Sequence, residues 1–415
     1  MNGRCSIHTE LEETVLTRHR RAARCALLLT GVIACADAPT ETAVGAPRAN
    51  LQATKLWDAL ATTRWNLRAT DLHQTLPPPP NGQAWASRML TYLSIAQYRA
   101  ALAATAPSNR PAHASVSAAV DRASVTVLRD FFAAHPGVPD ALEQQLLDDR
   151  SAPAWPGEQN RDVAAGDAIG LTVGRAVVEQ SRNDGYLSLP ALTPPVGDGF
   201  WIPNGAITRS LWGAKPFFLE PADLLLAPDP PAFGTSAFNA AADEVYAIVS
   251  SRTPAQLAIA LKWDRVPPNG PSTAGEWNRI ADSLIQTHHA TEAEAARILA
   301  YANVAAFDAQ IDCFTTKFTW WVARPSQVDN RIAPLLAFAA PNHPSYPSSH
   351  SCVSSAVGAV LSDAFPSERR RLDALVAEAG MSRVYAGIHY RFDVEAGQDI
   401  GRRAAAKALT GSLEP

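Results

Sequence analysis

The stretch EAEAARILAYANVAAFDAQIDCFTTKFTWWVARP, residues 292–325, decides the fold. Apolar residues recur through it at spacings of three and four, the period of a helix, and Pro325 closes the run. The spacing predicts a helix over Glu292–Trp321 whose end carries two cations, Lys317 and Arg324, seven positions apart. That interval is almost two helical turns, so both are expected on one face, able to reach one anion together. Trp320 and Trp321 stand beside them. They favour partial burial of the cations with a bound counterion over a solvated basic edge.

Working outward, helical periodicity returns downstream over Ser351–Phe365, Ser367–Ala379 and Asp393–Leu409. Upstream it covers Ala84–Ala104, His113–His135, Ala141–Leu147, Asp162–Asn183, Ser236–Ser250, Pro254–Trp263 and Thr273–His288. Folding is expected to begin near Leu56. No stretch alternates over six or more β-branched residues, so strands should be few. The fold class is therefore all-α, a helical bundle, with polar residues gathered at the ends of its C-terminal helices. One long Pro-, Gly- and aromatic-rich stretch, 186–231, interrupts the helices and contains Trp201, Trp212, Phe217 and Phe218. It is expected to be an ordered excursion whose aromatics bury against the bundle.

At 415 residues, with 47% hydrophobic and 18% charged residues, the chain is long enough for one or two helical lobes. Its net charge of -4 offers no basic field for nucleic acid. The first 35 residues differ from the rest: Arg18, Arg20, Arg21 and Arg24 precede the short apolar run Ala26–Ala34 and then Cys35. This is the order of an export leader, and Val32-Ile33-Ala34-Cys35 resembles a lipobox, with plain secretion as the alternative. The expected organisation is a leader over 1–35, a flexible tether over 36–54, an N-terminal helical region over 55–290 and a C-terminal anion-binding region over 291–415. The mature protein would sit on the periplasmic side of a bacterial envelope or be secreted, touching membrane only through a lipid on Cys35. Only Cys313 and Cys352 remain beyond the leader, as one disulfide or two buried thiols.

Two further segments carry chemistry. In Pro344-Ser-Tyr-Pro-Ser348-Ser349-His350-Ser351 a proline turn delivers hydroxyls and unpaired backbone N–H groups to a helix N-terminus, an arrangement that suits an anion. Capping alone also explains the serines. In Ser382-Arg383-Val-Tyr-Ala-Gly387-Ile-His389-Tyr-Arg-Phe-Asp393, His389 and Asp393 stand four apart, one helical turn. The carboxylate is then placed to hold one imidazole nitrogen and leave the other as nucleophile or ligand. Gly387 gives the chain room to turn. Three cations, two serines, backbone amides and two histidines together match a tetrahedral oxyanion, since opposite charges at ~4 Å are worth roughly 4 kcal/mol each at an effective dielectric near 20.

Lys-x6-Arg-Pro, Pro-Ser-x-His and Ser-Arg-x5-His-x3-Asp, spread over residues 317–393, resemble the signature of the vanadium-dependent haloperoxidase and type 2 phosphatidic acid phosphatase superfamily. Upstream, Arg182-Asn183-Asp184-Gly185, Trp201-Ile-Pro and Thr253–Trp263 resemble its bacterial haloperoxidase-like branch. The resemblance implies that Lys317, Arg324 and Arg383 clamp the oxygens of vanadate, or of phosphate in the same site, with the Ser348 hydroxyl and the Ser349 amide. It further implies His389 as axial vanadium ligand or phosphorylated nucleophile, His350 as acid–base group and Asp393 as the orienter of His389. Ser349 stands where the family usually has Gly, which strains the backbone if that position needs a positive φ. His343, seven residues before His350, stands where family bromoperoxidases carry His, a hint of bromide or iodide over chloride, or else a plain turn residue. Asp308 is expected to buttress an arginine from a neighbouring helical face.

The function so implied is halide oxidation by hydrogen peroxide on bound vanadate. The alternatives are an exported acid phosphatase acting on a phosphate ester through phosphohistidine, and a lipoprotein that binds an oxyanion without turnover. The five side chains Lys317, Arg324, His350, Arg383 and His389 are expected to converge in one pocket of about 10 Å.

Overall fold

Thr291 starts the longest helix with a reciprocal cap: its hydroxyl accepts from the Glu294 amide while the Glu294 carboxylate accepts from the Thr291 amide. From there 29 residues, Glu292–Trp320, run through the centre of the protein, and nearly every side chain from Ala295 to Lys317 is buried. The computed structural model describes residues 60–414, apart from 78–81, 107–112, 152–157, 159–160, 187–190, 265–269 and 336–339. The expected leader, tether and Cys35 lie outside the described residues.

The helices upstream of this one are α1 (Ala61–Thr75), α2 (Gly82–Thr105), α3 (Val116–Phe131), α4 (Val138–Arg150), α5 (Val163–Arg182), α6 (Ser236–Ser250), α7 (Pro254–Lys262) and α8 (Thr273–Thr287). The central helix is α9, followed by the short α10 (Pro325–Val328), α11 (Ser349–Ala364), α12 (Arg369–Tyr385) and α13 (Arg391–Thr410). Among the described residues the only β pairing is two isolated bridges, Ala114 with Asp162 and Phe200 with Val322. The protein is all-α. The described residues belong to one unit, in which α9 packs against α2, α11 and α13.

Helix α1 has no counterpart among the segments that periodicity picks out, because its buried face is largely polar. Arg64 and Trp65 bond Asp121, and Asn66 donates to Asp282 at 2.8 Å. The amides of Ala61 and Thr62 donate to Glu292 at 2.9 and 2.8 Å. Buried charge thus replaces the apolar stripe that a sequence scan requires.

Packing of α13 on α11 sets up the C-terminal end of the bundle. A Cβ at Gly397 would lie 2.6 Å from the Ser348 carbonyl oxygen, so only glycine lets α13 lie this close to the first turn of α11. The 186–231 excursion is ordered over its described part and anchored to α9. Asp308 accepts the amides of Phe217, Phe218 and Leu219 at 2.8, 2.8 and 3.2 Å. Asp312 accepts that of Leu225 at 2.9 Å. Trp201 is buried, while Trp212, Phe217 and Phe218 pack half-buried against the core.

Candidate active site

Lys317 lies on the last turn of α9 with its side chain fully buried. Its ammonium donates to the carbonyls of Pro344 and Ser345, both at 2.8 Å, and to that of Pro347. The lysine therefore holds the proline turn. Burial lowers its pKa to about 8, which leaves it cationic at neutral pH.

Arg324 is not on the same helix, contrary to the spacing argument. The helix stops at Trp320, and Trp321 takes a left-handed φ of 51°. A bulky residue pays strain there, and the excursion holds the turn in place. The Trp201 amide donates to the Trp321 carbonyl at 2.6 Å, the Ala323 amide to that of Gly199 at 2.9 Å, and the two indoles stack. This reversal carries Arg324, as N-cap of α10, back toward the end of α9. Its buried guanidinium donates Nε and Nη2 to the His343 carbonyl at 3.1 and 3.0 Å, and Nη1 to that of Ile388 at 2.8 Å. Nη1 also lies 3.1 Å from His389 Nε2.

Ser348 caps α11 from an extended conformation, and its amide donates to the Asp393 carbonyl at 2.8 Å. Its hydroxyl is buried and has no hydrogen-bond partner. Ser349 is the first residue of the helix and is not among the residues with positive φ, so serine in place of glycine brings no backbone strain. Helix geometry leaves the first-turn amides of Ser349 and His350 without intrahelical acceptors. These two residues are only half-buried and form the accessible side of the site. His350 Nε2 lies 3.2 Å from the Trp263 carbonyl and 3.1 Å from the Thr273 hydroxyl. A carbonyl only accepts, so Nε2 carries the proton and Nδ1 the lone pair. Burial, and then the nearby Arg383, hold its pKa well below the usual histidine value.

Helix α12 continues to Tyr385, beyond the Ala379 boundary expected from periodicity, and so carries Arg383 in its last turn. Arg383 is buried, donates Nη2 to the Ala260 carbonyl at 3.1 Å and Nε to the Ser382 hydroxyl at 2.9 Å, and has Asp264 nearby. Burial lowers its pKa to about 9. Gly387 then turns the chain at φ 75°. His389 precedes α13 rather than sharing a helical turn with Asp393, so their contact has another origin. Tyr390 is the N-cap and Asp393 the third helical residue, and the carboxylate reaches back over the cap. Its Oδ2 accepts from His389 Nδ1 at 2.8 Å, the Ser345 hydroxyl at 2.6 Å and the Tyr390 amide at 3.0 Å.

Burial raises the Asp393 pKa to about 6. Burial first, then Arg324 and Lys317, push that of His389 well below its usual value. The pair is therefore a neutral imidazole on a carboxylate at neutral pH, with the Nε2 lone pair facing the Arg324 guanidinium. His343 forms the wall beyond Arg324: its Nδ1 is 3.0 Å from Nη2, and its ring meets the edge of Phe314. Asp308 does not buttress an arginine. Its two oxygens are taken by the three excursion amides, and burial raises its pKa to about 6. Cys313 and Cys352 are both buried free thiols.

Lys317, Arg324, Ser348, Ser349, His350, Arg383, His389 and Asp393 thus gather around the N-terminus of α11, with His343 behind. Ser345, Thr273 and the Trp263 carbonyl belong to the same site, although no motif marks them. Ser345 lies inside the proline turn, whereas Thr273 and Trp263 arrive from α7 and α8, and no local pattern ties these to His350. Three buried cations are opposed by Asp393 and, at Arg383, by Asp264. This excess of positive charge, an unpartnered buried hydroxyl and two first-turn amides fit a tetrahedral oxyanion such as vanadate or phosphate.

A family profile described as the PAP2 superfamily matches residues 296–410, the segment from α9 to the end of α13. The match is confined to the C-terminal part of the chain. Among solved structures, a bacterial vanadium-dependent iodoperoxidase is similar at TM-score 0.69 and 23% identity, over 86% of this chain and 96% of that one. An apo-type bacterial vanadium-dependent chloroperoxidase is similar at TM-score 0.60 and 15% identity, over 82% of this chain and 97% of that one. Its holo-type counterpart is similar at TM-score 0.59 and 14% identity, over 81% and 94%. At these identities the likeness is one of fold, and it extends well upstream of the PAP2 segment. The chain finds no match among curated protein sequences.

Proposed function

We propose that this protein is a vanadate-dependent haloperoxidase that oxidises bromide or iodide with hydrogen peroxide. The observation that carries the reading is the neutral, Asp393-oriented His389, its Nε2 beside Arg324 in a cluster of three buried cations and the unpartnered Ser348 hydroxyl. Lys317, Arg324 and Arg383 would hold the oxygens of vanadate, with Ser348 and the Ser349 amide beside them and His389 Nε2 as the nitrogen that would bind it. Bound vanadate supplies a Lewis acid that activates peroxide toward halide without changing its own redox state. The residues contribute position and field. Asp393 keeps the proton on Nδ1 and the lone pair on Nε2, the three cations offset oxyanion charge, and His350, at the accessible side, exchanges protons with solvent and substrate.

The fold likeness over most of the helical body favours this reading. Among the described residues no helix is long and apolar enough to cross a membrane, unlike lipid phosphatases with several spanning helices. An acid phosphatase is the second reading, since a neutral His389 with its lone pair on Nε2 suits a nucleophile as well as a ligand. Purified protein loaded with orthovanadate should halogenate an indicator in the presence of peroxide and bromide or iodide, and His389→Ala should not. Hydrolysis of a chromogenic phosphate ester by untreated protein, without halide oxidation after loading, would establish the second reading instead. From the leader sequence we further propose export with lipidation at Cys35, tested by fatty-acid labelling of the wild type against Cys35→Ala.

A further inference from the structure

The Asp393 carboxylate carries its hydrogen bonds on one oxygen. Oδ2 accepts from His389, Tyr390 and Ser345, while Oδ1 is buried without a partner. His389 and Tyr390 are neighbours of Asp393 in the chain and move with it. Ser345 lies 48 residues away, and among the described residues its hydroxyl, at 2.6 Å, is the donor that ties this carboxylate to another segment. The same residue accepts Lys317 Nζ on its carbonyl at 2.8 Å and donates its amide to the Val322 carbonyl at 2.9 Å, within the turn leading to Arg324. Ser345 is fully buried. One residue thus joins the segment bearing His389 to the two segments bearing Lys317 and Arg324.

We propose that Ser345 is a positioning residue that sets His389, through Asp393, in register with the Lys317 ammonium. The inference rests on the reading that His389 and Lys317 act on one oxyanion. Without the hydroxyl, the Asp393 carboxylate is held only by donors of its own segment and can swing about its last torsion with the imidazole it carries. The His389 nitrogen then wanders relative to the clamp, although every group contacting the oxyanion is still present. A misplacement of this kind lowers binding and turnover together, since both depend on the same geometry. A hydroxyl that only packs would instead act through stability.

The test compares Ser345→Ala, Ser345→Thr, Asp393→Asn and the double variant Ser345→Ala/Asp393→Asn in the full chain. Affinities for orthovanadate and for inorganic phosphate are measured calorimetrically, with kcat, KM and thermal midpoint alongside. Ser345→Ala is expected to weaken orthovanadate binding ~10-fold, the scale of one charge-assisted hydrogen bond, and to lower kcat similarly with KM for peroxide little changed. Ser345→Thr should recover most of both. On the Asp393→Asn background the alanine change should add less than about twofold, because residues acting through one another are not additive. Multiplying effects of Ser345→Ala and Asp393→Asn, or binding that follows the thermal midpoint alone, would overturn the proposal. If Ser345→Ala does not fold, Ser345→Cys replaces it under the same criteria. Absence of halide oxidation in the parent defeats the proposed function, while the two anion affinities still decide the role of Ser345.

Discussion

Replacing Arg324 by lysine separates the shape of the anion clamp from its charge. The guanidinium spans the carbonyls of His343 and Ile388 and lies 3.1 Å from His389 Nε2, using all three of its nitrogens. An ammonium has three donors on one atom and cannot cover these carbonyls and an oxyanion at once. The charge survives, so attraction of about 4 kcal/mol at ~4 Å and an effective dielectric near 20 stays within reach. What is lost is one or two charge-assisted hydrogen bonds, about 3 kcal/mol, or roughly 100-fold in affinity. Arg324→Met removes the charge as well and should bring orthovanadate binding close to zero. Calorimetric titration with orthovanadate and with phosphate measures both variants, with circular dichroism to verify folding. Arg331→Lys, at an exposed pair with Asp329, is the control and should bind like the parent. An Arg324→Lys protein that binds within threefold of the parent, or an Arg324→Met protein that binds as well as Arg324→Lys, would refute the assignment of Arg324 to the clamp.

The remaining predictions concern the frame around the site. Asp308→Ala leaves three excursion amides without their acceptor and should cost about 3 kcal/mol in urea unfolding, less than three full desolvation penalties because the loosened segment admits water. The Asp308 pKa is raised to about 6 in the folded protein, above an unfolded value near 3.9, so its contribution is fully present below the unfolded value and is lost as pH rises through about 6. Unfolding free energy in the parent should therefore fall by about 3 kcal/mol more between pH 4 and 7 than in Asp308→Asn, and equal slopes would exclude this cause. Gly387→Ala places a side chain at φ 75° and 3.0 Å from Val249 Cγ2. A drop of about 1–2 kcal/mol in stability with reduced turnover is expected, measured by thermal melting and halide oxidation. Cys313 and Cys352 should resist alkylation in the native protein and react once it is unfolded, as followed by mass spectrometry.

Much of this protein was legible in the linear chain. Periodicity of three and four located most of the helices, because a buried stripe leaves the same imprint whatever it packs against. Three short segments named side chains that the structure brings together around the N-terminus of α11, since cations, hydroxyls and imidazoles in such spacing form a recognisable set. Spacing misled wherever the chain leaves the helix. Lys317 and Arg324 meet through the left-handed turn at Trp321 and not along one helical face, and His389 reaches Asp393 across the cap of α13 and not along a turn of it. Helix α1 escaped because its buried face is polar, and Asp308 was misassigned because its partners are backbone amides some 90 positions away. Composition and local order determined the class of fold and the chemistry on offer. Which residue touches which was decided by tertiary structure alone: hydrogen bonds such as Ser345 to Asp393 and His350 to the Trp263 carbonyl join segments far apart in sequence, and their geometry exists only once α7, α9, α11 and α13 have packed.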